Sequence, residues 1–180
     1  MDPFATAAQL ATRMKTTFDQ ATEAAAVQQL TTVSDTFRDL TGQTVWPKVA
    51  SATRTWQGAR GPVLWLPHPP AIPVDIVTVT VNGETLDEDA WRLDMYHGLH
   101  LTSTGGWNGI VEVVYDHGFD DPPGSIVQLV LDIVQRRMAN PVGATQETAG
   151  PFSQSFGPAA AQGWRPDELK IADRYTCIVQ

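Results

Sequence analysis

Cysteine is all but missing from this sequence: Cys177 stands alone among 180 residues. No disulfide can form within the monomer, and a reducing compartment is expected. Basic residues are scarce as well. Twelve Lys and Arg face twenty Asp and Glu, for a formal net charge of −8. That balance argues against a protein that grips a phosphate backbone, because such binding is driven by basic side chains displacing counterions; it is enough to keep a small domain soluble. No apolar run approaches the roughly 20 residues that a membrane helix needs. Met1-Asp2-Pro3-Phe4 opens the chain without a basic region leading into an apolar one, so no secretory signal is expected. What is present, 42% hydrophobic and 18% charged residues, is the composition of a globular protein with length enough for one sizeable core.

Glycine is absent from the first 41 residues and proline occurs there only at position 3, so this zone is predicted helical. A short helix is expected over 5–14. Asp19 offers an N-cap, with Glu23 in the first turn, for a second helix running to about Thr41. Val27, Leu30, Val33, Phe37 and Leu40 recur at three- and four-residue spacing and draw one apolar stripe. Gly42 sits where a glycine ends a helix.

From about residue 43 proline and glycine become frequent, and short alternating runs replace the helical period. Strands are predicted at 51–57 and 63–66. Pro67-His68-Pro69-Pro70 fits neither a helix nor a central strand. Over 75–81, Val77, Val79 and Val81 face one way and Thr78 and Thr80 the other, and Asn82-Gly83 is a hairpin turn. Trp91, Leu93 and Met95 alternate with polar residues, as do Leu99 with Leu101 and Val111 with Val113 and Tyr115. Helix then returns, with Asp121 as N-cap, Pro122 at the first position and Leu129, Val130 and Ile133 deepest. The polar residues Gln128, Asp132, Gln135 and Arg136 leave only a narrow strip. Asn140-Pro141 stops this helix. The stretch 142–163 is rich in Gly, Ala, Ser, Thr and Gln and reads as an extended loop or hairpin arm. Pro166 begins a last short helix. The expected fold is α+β in one domain: a helical bundle core (helices about 5–41 and 122–139), a small antiparallel β-sheet inserted at about 44–116, an extended arm over 142–163 and a C-terminal helix over 165–175.

Little in this pattern carries chemistry. His97, His100 and His117 lie near Asp94, Asp116, Asp120 and Asp121, but without the tight local pairs of a metal site. They are expected as surface or half-buried hairpin histidines, and no metal or other cofactor is expected. Asp120-Asp121 suits helix capping. There is no Gly-x-Ser-x-Gly elbow, and Gly105-Gly106 lacks the Lys and helix of a phosphate loop. Glu84, Asp87, Glu88 and Asp89 lack the calcium-loop pattern and read as a solvated hairpin end. Six tryptophans could form a stacking surface, but in so small a sheet Trp65 and Trp91 are expected in the core. No catalytic residue is assigned.

Four stretches, taken in order, carry a resemblance. They are the paired N-terminal helices ending in DTFRDLTGQ (35–43); VLWLPHPPAIPVDIVTVTVNGE (63–84); GWNGIVEVVYDHGFDDPPGSIVQLVLDIVQRRMANP (106–141); and the Ser/Thr/Gly arm (145–157) with the last helix (166–175). This set resembles the head-to-tail adaptor (head-tail connector) family of long-tailed bacteriophages and gene transfer agents. In that family the second stretch holds a Leu-Pro-x-x-Pro-Val lead-in to a β-hairpin, and the third a Tyr-x-His-Gly strand end.

The resemblance implies a non-enzymatic structural protein of the virion neck, made in the host bacterial cytoplasm. Its subunits form a dodecameric ring that docks on the portal protein and receives a head-completion (stopper) or tail protein below. DNA passes through the lumen without specific binding, a passage that an acidic surface suits, and no membrane is involved. It also implies that the helical core packs against neighbouring subunits, the extended arm reaches across them and the C-terminal segment inserts at the portal. Phe152, Phe156, Trp164, Ile171, Tyr175 and Ile178 are the expected anchors, because large apolar and aromatic side chains dominate interface energetics. Family members often end in basic residues, whereas Thr176-Cys177-Ile178-Val179-Gln180 is uncharged, so an apolar or strand-type contact is expected there instead. Two other readings stay open: another neck or tail-completion (stopper) protein, and a small ligand-binding β-domain or enzyme.

Overall fold

The structure, a computed structural model, describes residues 1–103, 105–139, 146–149, 152–155 and 163–177. The fold is α+β, and the chain divides into two compact units, a helical one of Met1–Leu40 with Pro122–Asp173 and a β one of Thr41–Asp121 with the residues from Arg174.

In the helical unit, α1 (Ala7–Met14) begins on a capping box. Thr6 Oγ1 accepts from the Gln9 N–H while Gln9 Oε1 accepts from the Thr6 N–H, and Lys15 in the left-handed region ends the helix. α2 (Gln20–Thr41) starts where Asp19 Oδ1 accepts from the Thr22 N–H at 2.7 Å, and Gly42 (φ +63) follows its last residue. The buried face of α2 is Ala26, Leu30, Val33 and Phe37, with Val27 and Leu40 exposed. Leu30, Val33 and Phe37 thus stand as expected, while Ala26 takes the inward place given to Val27, and Leu40 falls outside the file 26, 30, 33, 37.

α3 (Gly124–Ala139) starts two residues later than expected. The Pro123 carbonyl takes the N–H groups of Ile126 and Val127, so Pro123, not Asp121, is the residue at the cap. Ile126, Leu129, Val130, Leu131, Ile133 and Val134 are buried. Its polar strip is answered from two sides. Arg13 of α1 bonds Gln128, Asp132 and Gln135, and Arg136 pairs with Glu168 of α4 (Pro166–Asp173).

In the β unit the strands are β1 (Val49–Gly61), β2 (Val63–Trp65), β3 (Val74–Val81), β4 (Glu84–Thr85), β5 (Trp91–Leu93), β6 (Gly98–Leu101) and β7 (Trp107–His117). They pair antiparallel in two sheets ordered β1-β7-β3-β4 and β2-β6-β5. Asn82 and Gly83, both at positive φ, turn β3 into β4. β7 carries Val111, Val113 and Tyr115 into a core shared with Leu64, Leu66, Val79, Leu99 and Trp107.

Two expected orientations are corrected here. The β3–β7 register slips between Ile76 and Thr78, so Val77 is the extra residue of a β-bulge and is 54% exposed; Ile76 and Val79, either side of it, face the core. Trp65 is 55% exposed, because Leu64 and Leu66 take the inward positions and alternation sends it out. The buried tryptophan is Trp107, and Trp91 packs partly buried against the cluster. Met95 lies past the end of β5 and is exposed.

Within the expected arm, β8 (Gln146–Ala149) and β9 (Phe152–Ser155) pair as an antiparallel hairpin. The other arm positions, 142–145, 150–151 and 156–162, lie outside the described residues.

Candidate functional site

The most densely bonded polar group of the β unit is built on the proline-rich loop after β2. Two prolines flank His68 and fix its backbone, and the Ile72 N–H closes a turn on the Pro69 carbonyl. The imidazole is buried. Its Nδ1 lies 2.7 Å from Gln43 Oε1 and its Nε2 3.2 Å from the Tyr115 hydroxyl. Gln43 Nε2 donates to the Pro67 carbonyl at 3.0 Å, which orients the amide, so Oε1 is the acceptor and His68 carries its proton on Nδ1. The His68 ring stacks on His117 at 4.0 Å, and His97 Nδ1 is 3.2 Å from the His68 carbonyl.

His97 and His117 are thus buried, not the surface or half-buried hairpin groups expected; only His100 is half-buried, paired with Asp94 at 2.9 Å. Their sequence neighbours gave no sign of this, since both meet His68 in the loop at 67–70. Both ring nitrogens of His68 are engaged, and rings stacked face to face do not converge on a common point. Among the described residues no group of three or more His, Cys, Asp or Glu side chains is gathered for a metal ion.

Burial, then the neighbouring His117 and His97, push the His68 pKa down to about 4. Burial also lowers that of His117, against the opposing pull of Asp116. A histidine kept neutral in the fold gains its proton only on unfolding, so stability is constant above pH 6.5 and falls between pH 6.5 and 4. The expected loss across that window is about 2 kcal/mol once residual solvent screening is discounted. Urea unfolding at a series of pH values checks it; His68→Gln should flatten most of the slope, and an unchanged slope would refute the assignment.

Of the expected partner anchors, Trp164 is half-buried with its ring 6.5 Å from that of Phe37. Ile171 is half-buried on α4, Tyr175 is buried, and Phe152 lies in β9. Phe156 and Ile178 are outside the described residues. Among the described residues the structure brings Trp164 and Ile171 into the helical unit, near the clasp that joins α3 to α4. There Arg136 donates to both carboxylate oxygens of Glu168, at 2.6 and 3.0 Å, and to the Gly163 carbonyl at 3.1 Å. The Arg165 N–H also reaches Glu168, at 2.8 Å. Burial raises the Glu168 pKa, but the bonds from Arg136 and Arg165 outweigh it and leave the carboxyl below its ordinary range.

The four-stranded sheet has two unlike edges. β1 pairs only with β7 among the described strands. It carries Arg54 and Arg60, both exposed, and no carboxylate, with Lys48 just before it held at 3.5 Å from Asp116. At the other edge Glu84 on β4 and Asp87, Glu88 and Asp89 in the turn that follows are all exposed.

No family model matches the chain, and no curated protein matches it. Among solved structures it is similar to a chain in the neck of an empty GTA particle computed with C6 symmetry. The TM-score is 0.48 and the identity 17%, over 97% of this chain and 90% of that one. A likeness that loose assigns nothing to this chain, and the functional reading rests on its own residues.

Proposed function

We propose that the chain is a structural subunit of the neck of a tailed-phage or gene-transfer-agent particle: a head-to-tail adaptor, with no catalytic role. In this reading a homododecameric ring docks on the portal protein, takes a stopper or tail protein below and lets DNA pass through its lumen. The observation that carries the proposal is the meeting of two separate motif stretches. His68 of the Leu-Pro lead-in bonds Tyr115 and stacks on His117 of the Tyr-x-His-Gly strand end. Gly118 of the same strand end donates to the Pro73 carbonyl, and its α-carbon faces the Val45 carbonyl so closely that a Cβ there would lie 3.1 Å from it. The matching residues of these two stretches thus pack together within the β unit. Both ring nitrogens of His68 are taken up within the fold, which fits a structural role.

The test is to add the purified full chain to DNA-filled heads from a mutant of its own particle that lacks it, and to image them by cryo-electron microscopy. A ring of density below the portal is expected. Heads left bare, with the chain found instead on free tails, would overturn the adaptor role.

A further inference from the structure

We propose that the two edges of the four-stranded sheet are complementary halves of one contact, and that the partner of each is the opposite edge of a second copy of this chain. The inference rests on the ring assembly proposed above and says which surfaces close it.

The strand order of the sheet is β1-β7-β3-β4, so β1 and β4 are its edges. Three interstrand spacings put the edges about 14 Å apart, on opposite sides of the same sheet. Exposed Arg54 and Arg60 mark the β1 side, which has no carboxylate of its own. Exposed Glu84, Asp87, Glu88 and Asp89 mark the β4 side, where the nearest basic residue, Arg92, lies beyond the turn on β5. Among the described residues none of these six edge charges is in an ion pair. Arg54 sits over the Trp56 ring at 5.7 Å, which leaves its charge uncompensated.

Basic residues on an open strand are also a common guard against unwanted pairing. A guard does not call for an acidic counterpart on the far edge, and it is that polarity which points to another copy. Unlike edges make a head-to-tail contact, and head-to-tail contacts close into rings when the rotation allows. The register slips in β1, between Val49 and Ala52 and between Trp56 and Ala59, disfavour flat backbone pairing, so charge rather than a continued ladder selects the neighbour.

Two variants of the full chain test this. R54E with R60E makes both edges acidic; E84K with D87K, E88K and D89K makes both basic. All six positions are exposed, and circular dichroism checks that each variant keeps its fold. In sedimentation velocity at low salt the wild type should self-associate, and this should vanish at about 1 M salt, where the screening length is about 3 Å. Each variant alone should associate roughly a hundredfold more weakly, because like charges then face each other. An equimolar mixture should regain assembly, as should one chain carrying all six substitutions, in which the polarity is simply reversed. Variants that assemble alone as the wild type does, a mixture that stays monomeric, or a wild type monomeric at every salt concentration would each overturn the contact. The neck role is judged separately by the rings on heads: single variants that still ring the portal would sink this contact and leave that role standing.

Discussion

Trp107→Ala should cost the β unit about 4 kcal/mol. The indole is 2% exposed at the start of β7 and is the largest of the fully buried side chains. Its Nε1–H donates to the Leu99 carbonyl at 2.9 Å. Leu99 lies on β6 of the three-stranded sheet, so one side chain joins the two sheets by packing and by a bond. Truncation removes the packed ring, leaves a cavity and forfeits the bond to Leu99, which adds about 1 kcal/mol. Against a total stability of order 5–15 kcal/mol for a protein of this kind, the loss is large. Urea unfolding followed by near-ultraviolet circular dichroism measures it. Trp65→Ala is the control, expected within about 0.5 kcal/mol of wild type because its ring is mostly solvated. If the two variants unfold alike, Trp107 is not the hinge of this core.

The second large effect belongs to the clasp on α4. In Glu168→Ala the guanidinium of Arg136, only 10% exposed, keeps its charge and loses its carboxylate. An unpaired buried charge costs about 3–5 kcal/mol. Glu168→Gln keeps an oxygen for Arg136 and should lose less. Replacing both residues together, R136M with E168L, should recover most of the loss, since the charge is removed along with its partner. Because the Glu168 carboxyl is held below its ordinary range, its contribution is complete above the usual glutamate pKa and fades as pH falls through the lowered value. Thermal melts of the three variants, with proteolysis near Arg165 as a local probe, decide the matter. A double replacement as damaging as Glu168→Ala would show that lost packing, not stranded charge, is at fault.

Both ends of α2 were legible because caps are local: Asp19 and Gly42 act on residues within a turn of themselves. So was the sheet, since Val111, Val113 and Tyr115 alternate along one strand. The bulge at Val77 was not, because an extra residue leaves the alternation of valines intact while it shifts which of them meet β7. Nor could the histidine cluster be read, since Gln43, His68 and Tyr115 meet only once β7 is in place. The polar strip of α3 showed as a gap in an apolar face, but what filled it, Arg13 and Glu168, lies in other helices. The expected anchors were chosen for size and apolarity, qualities that core and interface residues share. Burial of Tyr175 and the approach of the Trp164 ring to Phe37 are decided by neighbours that no local pattern names.

The pairing of β1 with β7 also bears on synthesis. When Gly61 leaves the ribosome, the rest of the chain through His117 is still to come, a wait of roughly three to ten seconds at elongation rates of about 5–20 residues per second. Through that interval β1 has two open sides, and neighbouring ribosomes on one message hold identical strands within reach. Its positive φ at Ser51 and Gly58 and the repulsion between the Arg54 and Arg60 side chains of different nascent chains make it a poor template for its own copies. The kinks that spoil a flat ladder in the finished sheet thus keep the unfinished one from aggregating before its partner strand arrives.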